Sequence, residues 1–423
     1  MTGLILAAPS SGAGKTTLTL ALLRLLRQHG IAVRGAKSGP DYIDPKFHEA
    51  ACGQPCLNLD AWAMTPERIA DLAATPDLLV IEGAMGLFDG APPDGRGAVA
   101  DLARQLKLPV VLVVDAGRMA GSVAAVVAGF AQFDPEVHVA AVILNNVGSE
   151  RHEAMLRRAL APSGLPILAA LRRSPQLSLP SRHLGLVQAH EREDLSQFLD
   201  TAAAHLAQTL DLEALLTLAR PLPQNSGTSP RMIPPAQTIA VARDAAFTFC
   251  YPHLLQDWRA QGAEVTMFSP LADDSVPKAD FVYLPGGYPE LHAGRLAQCI
   301  TFRDSMRNVS ECSTLFGECG GYMTLGEGLI DADGTRHQML GLLPLETSFQ
   351  QRKLHLGYRR LTPLSGPFTD VLLGHEFHYA VTLKSDGPPL FSAQNAEGEP
   401  LADMGLSLGK THGSFAHIID QAR

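Results

Sequence analysis

Residues 4–17 read Leu4-Ile5-Leu6-Ala7-Ala8-Pro9-Ser10-Ser11-Gly12-Ala13-Gly14-Lys15-Thr16-Thr17, and the chain runs on without a breaker from Leu18 to Gln28. The apolar run ending at Ala8 predicts a buried strand, and the stretch after Thr17 predicts a helix. Between them, glycines let backbone N–H groups approach an anion, Lys15 reaches terminal phosphates, and the Thr16 hydroxyl suits Mg²⁺. Gly12, Ala13, Gly14, Lys15, Thr16 and Thr17 are therefore the candidate nucleotide-binding set. The general pattern is Gly, four residues, Gly-Lys-Ser/Thr, and its first glycine falls here on Pro9. Read alone, the same stretch also suits a Gly/Ser turn before an ordinary helix. A strand that feeds a helix through such a loop is the unit of parallel sheets, so the predicted fold class is α/β.

The rest of the chain repeats that alternation. Strand-like runs at 78–82, 109–114 and 139–144 lie between helical stretches at 15–28, 97–107, 118–131 and 150–160. A Pro/Ser/Gly-rich stretch from Arg220 to Pro235 has little to bury and predicts a linker over 221–236. The expected domains are 1–220 and 237–423. In the second, Thr238–Ala242, Glu264–Phe268 and Asp280–Leu284 again read as buried strands. A chain of 423 residues, 46% hydrophobic, has ample core for two such domains. A formal net charge of −9 with interspersed signs argues against bulk nucleic-acid binding. No apolar run of about 18 residues predicts a membrane span. The start has no basic segment and reads straight into the first strand, so the expected location is the cytoplasm. Six cysteines in so long a chain read as free thiols, and Cys52-Gly53-Gln54-Pro55-Cys56 lacks the second pair that a zinc site needs.

Phosphoryl transfer needs carboxylates to hold Mg²⁺. Glu82 ends the strand 78–82 and opens Gly83-Ala84-Met85-Gly86-Leu87-Phe88-Asp89-Gly90, while Asp41 sits in Lys37-Ser38-Gly39-Pro40-Asp41-Tyr42-Ile43-Asp44-Pro45. Both positions follow predicted strands, where ligands of open α/β sheets bind. Either carboxylate also suits a turn or helix cap. Asp115 is a weaker third candidate, and Asn145-Asn146 suits either adenine recognition or a turn.

In the second domain, Leu315-Phe316-Gly317-Glu318-Cys319-Gly320-Gly321-Tyr322 has the form of a strained strand-to-helix turn that presents a nucleophile. The helix after it is expected to favour the thiolate and to supply one oxyanion donor from Gly320. Pro285-Gly286-Gly287-Tyr288-Pro289-Glu290 suits the second donor, Gly287, and a histidine should act as base. Among fifteen histidines, His412 and His417 stand near the end of the chain, His417 in an apolar, strand-like stretch.

Taken together, these motifs carry a resemblance. Ser11-Gly12-Ala13-Gly14-Lys15-Thr16-Thr17, Gly39–Pro45, Glu82–Gly90, Leu284–Glu290, Gly317–Gly321, Leu356-Gly357-Tyr358-Arg359 and Gly374-His375-Glu376-Phe377-His378-Tyr379 follow one another along both domains. In that order they resemble the cobyrinic acid a,c-diamide synthase family, and most of all its hydrogenobyrinic acid a,c-diamide synthases. The resemblance implies two three-layer α/β domains: a dethiobiotin-synthetase-like ATP domain with a P-loop, and a class I glutamine amidotransferase of the triad type. It implies Cys319 as nucleophile and His417 as base, by its place in the Ser-aromatic-x-His motif. It further implies ATP and Mg²⁺, with Thr16, Asp41 and Glu82 as ligands, and glutamine and a corrinoid polycarboxylate as substrates. Lys37, Tyr42 and Arg359 are the residues it offers to the corrinoid. No nucleic acid and no membrane is implied, and a homodimer is left open. Whether the corrinoid carries cobalt is also left open. The chain departs from the class I pattern at Ile419, where a glutamate usually orients the base. That leaves a Cys–His dyad, unless another carboxylate such as Glu318 or Glu376 substitutes.

Overall fold

The computed structural model describes residues 1–177, 181–182, 185–223 and 229–422, and part of the expected linker, 224–228, lies outside them. The chain forms two compact units, Met1–Pro230 and Arg231–Arg423. The edges of the proline-rich stretch are each tied to their own unit. Ser229 bonds Asp71 in the first, and the Met232 N–H donates to Asp257 in the second.

The first unit is built on β1 (Thr2–Ala7), β2 (Val33–Ser38), β3 (Leu57–Leu59), β4 (Leu78–Glu82), β5 (Val110–Asp115), β6 (Val139–Val147) and β7 (Ile167–Arg172), in spatial order β3-β2-β4-β1-β5-β6-β7. All six pairings along this path are parallel. Leu4, Ile5 and Leu6 are fully buried, as a central strand covered on both faces requires. Two short strands, β8 (Ser181–Arg182) and β9 (Gly185–Leu186), pair with each other, and β10 (Arg220–Pro221) runs antiparallel to the start of β1. The proline predicted to open the linker is thus held at the sheet. Helices α1 (Lys15–Gln28), α2 (Asp44–Cys52), α3 (Pro66–Ala73), α4 (Val99–Leu106), α5 (Ser122–Gln132), α6 (Glu150–Leu160), α7 (Leu195–Ala207) and α8 (Leu212–Leu218) connect or follow the strands. Helices α4 and α5 start later than their apolar patterns predict, because glycine-containing turns take up the residues before them.

The second unit has a sheet of β11 (Thr238–Ala242), β12 (Glu264–Phe268), β13 (Phe281–Leu284) and β14 (Thr314–Glu318), in order β12-β11-β13-β14, all parallel. It also has antiparallel parts that alternation of strands and helices does not predict. Strands β15 (Gly328–Ile330), β16 (Arg336–Gln338), β17 (Leu345–Ser348) and β20 (Val381–Ser385) form one extra sheet; β18 (His355–Pro363), β19 (Leu372–His378), β21 (Phe391–Gln394) and β24 (Ala416–Gln421) form another. Strand β22 (Leu406–Leu408) pairs antiparallel with β23 (Thr411–Ser414), which continues the central sheet parallel to β14. The apolar stretch around His417 is therefore two strands in two sheets, β23 and β24, parted at Phe415. That break turns His417 out of the central sheet and sets it opposite His375 of β19.

Candidate active sites

Four loops converge at the carboxyl ends of the first unit's strands around a cavity of about 650 Å³. The loop after β1 has Gly12 at φ 81° and Gly14 at φ 87°, conformations that an L side chain resists. A Cβ on Gly14 would also meet Asn145 Nδ2 at 2.3 Å. Asn145, at the end of β6, donates to the Ala13 carbonyl at 2.9 Å and so fixes the loop. Gly12, Gly14, Lys15, Thr16, Thr17 and Asn146 line the cavity, while Ala13 is buried behind it. The Lys15 ammonium bonds the carbonyls of Ser10 and Met85, and burial lowers its pKa against the pull of Glu82. The loop 83–90 presses on the loop after β1: the Leu87 N–H donates to Ala8, and a Cβ on Gly86 would lie 2.7 Å from the carbonyl of Pro9.

The charged floor of the cavity joins the first turns of two helices, α1 and α2, to the ends of two strands, β2 and β4. Thr16 Oγ1 lies 2.6 Å from Glu82 Oε1 and 3.5 Å from Asp44 Oδ2. The Lys37 ammonium spans both carboxylates, 2.6 Å from Asp44 and 2.8 Å from Glu82. Asp41 also lines the cavity, but its Oδ1 accepts from the N–H groups of Ile43 and Asp44, at 2.7 and 3.1 Å, and caps α2. The carboxylate that faces Thr16 is thus Asp44, three residues further on. Local sequence does not separate the two, since both lie in the same loop. Asp115 is exposed and accepts from the Gly117 N–H in its own turn.

Behind Glu82 lies a residue for which the local sequence carries no signal. His48 of α2 is fully buried, its Nε2 2.6 Å from Glu82 Oε2 and its Nδ1 3.4 Å from the Cys56 thiol. Gly35 of β2 makes room for the ring, since a Cβ there would sit 2.9 Å from Nδ1. Burial raises the Glu82 pKa, but Lys37 and His48 outweigh it and hold this carboxyl well below its ordinary value. Burial opposes the Lys37 charge, and Asp44 and Glu82 outweigh it to keep the ammonium protonated. Asp44 moves up, through burial and the crowding of Asp41, with Lys37 opposing. Thr16, Asp44 and Glu82 offer only hard oxygen donors on one side of the cavity, which fits Mg²⁺ and not a soft metal.

In the second unit, β14 ends at Glu318, and Cys319 follows at φ 46°, ψ −104°, a strained elbow for an L residue. The Cys319 N–H donates to Ser414 at 2.8 Å, which pins the elbow to β23. The glycines beside it are dictated by close approach. A Cβ on Gly320 would meet Gly287 N at 3.0 Å, and one on Gly287 would meet the Ala246 carbonyl at 1.9 Å. Gly287 and Gly320, the two expected oxyanion donors, therefore lie side by side. A Cβ on Gly286 would fall 2.2 Å from His417 Cε1, so the imidazole packs on the same loop. Three elements that are distant in sequence, the elbow, the loop 285–290 and the strand of His417, thus lie against one another.

The electrostatics correct one expectation. The helix after the elbow, α9 (Gly320–Leu325), spans six residues, and the resting thiol is not poised as a thiolate. Burial pushes the Cys319 pKa up and Glu290 adds to the rise, against the Gly320 N–H that favours the anion. Burial pushes His417 down to about 3. Burial thus favours the neutral forms of both the thiol and the imidazole. His412 lies elsewhere, with Nδ1 2.8 Å from Ser407 Oγ.

The residues offered to the corrinoid come from both units. Lys37 is committed to the carboxylate floor, Tyr42 is buried beside it in the loop before α2, and Arg359 lies on β18 of the second unit. The Arg359 guanidinium holds Glu376 Oε2 through Nε and Nη2, at 2.9 and 2.8 Å, while His378 holds Oε1 at 2.9 Å. His355, Glu376 and His378 are close enough together to suggest a metal centre. The two imidazoles stack with planes only 3° apart at 4.6 Å, so their in-plane lone pairs do not converge, and Arg359 already neutralises the carboxylate.

Comparison with known proteins gives the same two parts. Residues 4–187 match the CobQ/CobB/MinD/ParA nucleotide binding domain family, and residues 238–423 match the CobB/CobQ-like glutamine amidotransferase domain family. The chain is 55% identical to a hydrogenobyrinate a,c-diamide synthase of Rhizobium meliloti and 54% identical to one of Brucella anthropi, over 99% of each chain in both cases. Identity to a hydrogenobyrinate a,c-diamide synthase of Rhodobacter capsulatus is 50%, over 99% of this chain and 98% of the relative. Likeness of this degree extends over both units, and the chain belongs to the family of hydrogenobyrinate a,c-diamide synthases.

Proposed function

We propose that this protein is a ligase that amidates the a and c acetate carboxylates of hydrogenobyrinic acid, with glutamine as nitrogen donor and ATP as the source of activation. The observation that carries the reading is end-to-end likeness to relatives of that name in a chain with both a P-loop cavity and a buried thiol elbow. A free carboxylate is anionic and has no leaving group, so it must be activated before nitrogen can add. Lys15 and the N–H groups of the loop 12–17 hold the triphosphate, and the substrate carboxylate displaces ADP from the γ-phosphoryl group to give an acyl phosphate. Thr16, Asp44 and Glu82 are the residues that would hold Mg²⁺, with Asp41 shaping their loop; the ion offsets charge on the phosphate oxygens. Lys37 keeps the two carboxylates in place.

The nitrogen comes from the second unit. The Cys319 thiol gives its proton to His417 as sulfur attacks the glutamine amide carbon, and the Gly287 and Gly320 N–H groups receive the oxyanion. The imidazolium returns the proton to the leaving ammonia, and water then releases glutamate from the thioester. Ammonia adds to the acyl phosphate and expels phosphate. Because the resting thiol and imidazole are both neutral, we expect slow glutamine hydrolysis without the other substrates.

Mass spectrometry of hydrogenobyrinic and cobyrinic acids incubated with ATP, Mg²⁺ and either glutamine or ammonium tests the reading. Two added amides on hydrogenobyrinic acid are expected, with Cys319→Ala active on ammonium and inactive on glutamine. Reaction of neither corrinoid with either nitrogen source overturns the substrate assignment, and preference for cobyrinic acid moves it to the cobalt-containing substrate.

A further inference from the structure

Strand β24 carries Ile419 where a class I glutaminase usually carries the carboxylate that orients its base, yet a buried carboxylate faces His417 from another strand. Glu318, the last residue of β14 and the one before the nucleophile, places Oε2 3.8 Å from His417 Nδ1, with the two side chains 2% and 0% exposed. We infer that Glu318 is the third member of the glutaminase site, a positioning residue that enters from the nucleophile's own strand. This rests on the glutaminase reading of Cys319 and His417.

The side chain is held on two sides. Tyr283 of β13 donates its hydroxyl to Oε2 at 2.6 Å, and the Ile418 N–H donates to Oε1 at 3.1 Å. The second contact ties the carboxylate to the backbone next to His417, so base and carboxylate move together. The separation of 3.8 Å is too long for a hydrogen bond at rest, and such contacts tighten when charge develops. Proton transfer from Cys319 makes an imidazolium, and a carboxylate across Nδ1 then gains a charged partner. With Nδ1 facing Glu318, Nε2 is the nitrogen left for the thiol proton. Glu318 does not itself take that proton.

The other carboxylates near the thiol are placed for different work. Glu376 is held by Arg359 and His378, so its charge is already matched. Glu290 raises the Cys319 pKa, and Glu376 and Glu318 add to the rise. The groups that bear on His417 are His375, His378 and Glu376, besides Glu318. Burial raises the Glu318 pKa to about 8, and the Tyr283 hydroxyl and the Ile418 N–H oppose that rise by favouring the carboxylate.

The test compares Glu318→Gln, Tyr283→Phe and Cys319→Ser in the full chain. Glutamine-dependent amidation should fall about 10²-fold in Glu318→Gln, the range of a mispositioned base, and less in Tyr283→Phe, with ammonium-dependent amidation retained. The second readout is alkylation of Cys319 by iodoacetamide as a function of pH. In Glu318→Gln, and to a lesser extent in Tyr283→Phe, which unties the carboxylate, the midpoint of the rising limb should shift, because Glu318 bears on both the thiol and the imidazole; a purely structural loss would lower the amplitude without moving the limb. Glutamine-dependent rates within about twofold of the native chain and an unmoved limb overturn the assignment. If Glu318→Gln does not fold, Tyr283→Phe decides by the same two readouts. If Cys319→Ser still uses glutamine, the glutaminase reading itself fails; if only Cys319→Ser loses it, Glu318 alone is misassigned.

Discussion

His417 shows how burial sets chemistry at a single residue. The ring is fully buried, and its pKa falls from an ordinary 6.5 to about 3. Between those values the unfolded chain binds a proton that the folded chain refuses. The stability that this ring contributes is therefore complete above pH 6.5 and is lost as pH falls toward 3. Thermal melts of His417→Gln across that window should show a flatter acid limb than the native chain; an unchanged limb would mean that the folded ring is readily protonated. His48 illustrates the opposite use of burial, since it never meets solvent yet fixes Glu82 through Nε2. In His48→Asn the shorter side chain leaves Glu82 without that contact. The Mg²⁺ concentration for half-maximal amidation should rise about tenfold, as is typical when a partner behind a metal ligand is lost. Calorimetric titration of Mg²⁺ into the ATP complex should show the same loss, and unchanged binding would remove His48 from the site.

The elements were legible in the sequence where one period or one turn decides them. The strand Thr2–Ala7, the helix Lys15–Gln28 and the elbow at Cys319 carry their signals within a few residues. The antiparallel sheets of the second unit were not, because strands pair across long separations, as β17 with β20 and β19 with β24, and β18, β19 and β24 show no clean alternation of burial. The same blindness covers Asp44, whose role depends on how Asp41 caps the helix that follows, and the choice between Glu318 and Glu376, since the partner of Glu318 lies 99 residues away in sequence. Loop 285–290 gives the sharpest test of element packing. A methyl group on Gly286 would strike His417 Cε1, and the neighbouring backbone bonds leave little room for retreat: the Phe249 N–H donates to the Gly286 carbonyl at 2.9 Å. Overpacking of this kind costs about 1–3 kcal/mol. Gly286→Ala should melt earlier and lose glutamine-dependent amidation while it keeps the ammonium-dependent reaction; full glutamine use would show that the imidazole tolerates displacement.

At the scale of the whole molecule, two parallel sheets place their chemistry by the same rule. The P-loop follows β1, Glu82 ends β4, Asn145 lies near the end of β6, and Cys319 follows β14, each at a strand's carboxyl end, where loops are free to converge while the strands hold them apart. On the proposed mechanism each unit carries the groups for one half-reaction, so damage to one should spare the other. Lys15→Ala removes the ammonium that faces the terminal phosphates and leaves the thiol elbow untouched. Amide formation should fall about 10²–10³-fold with glutamine and with ammonium alike, the usual effect of losing one preorganised charge at a transition state. Glutamate release from glutamine, measured without corrinoid, should continue at the native basal rate. If Lys15→Ala still amidates with ammonium, the acid is activated by some group other than the nucleotide held at this loop. If instead glutamate release also collapses, the thiol elbow depends on an occupied nucleotide site, and the two halves are coupled before the substrate carboxylate is activated.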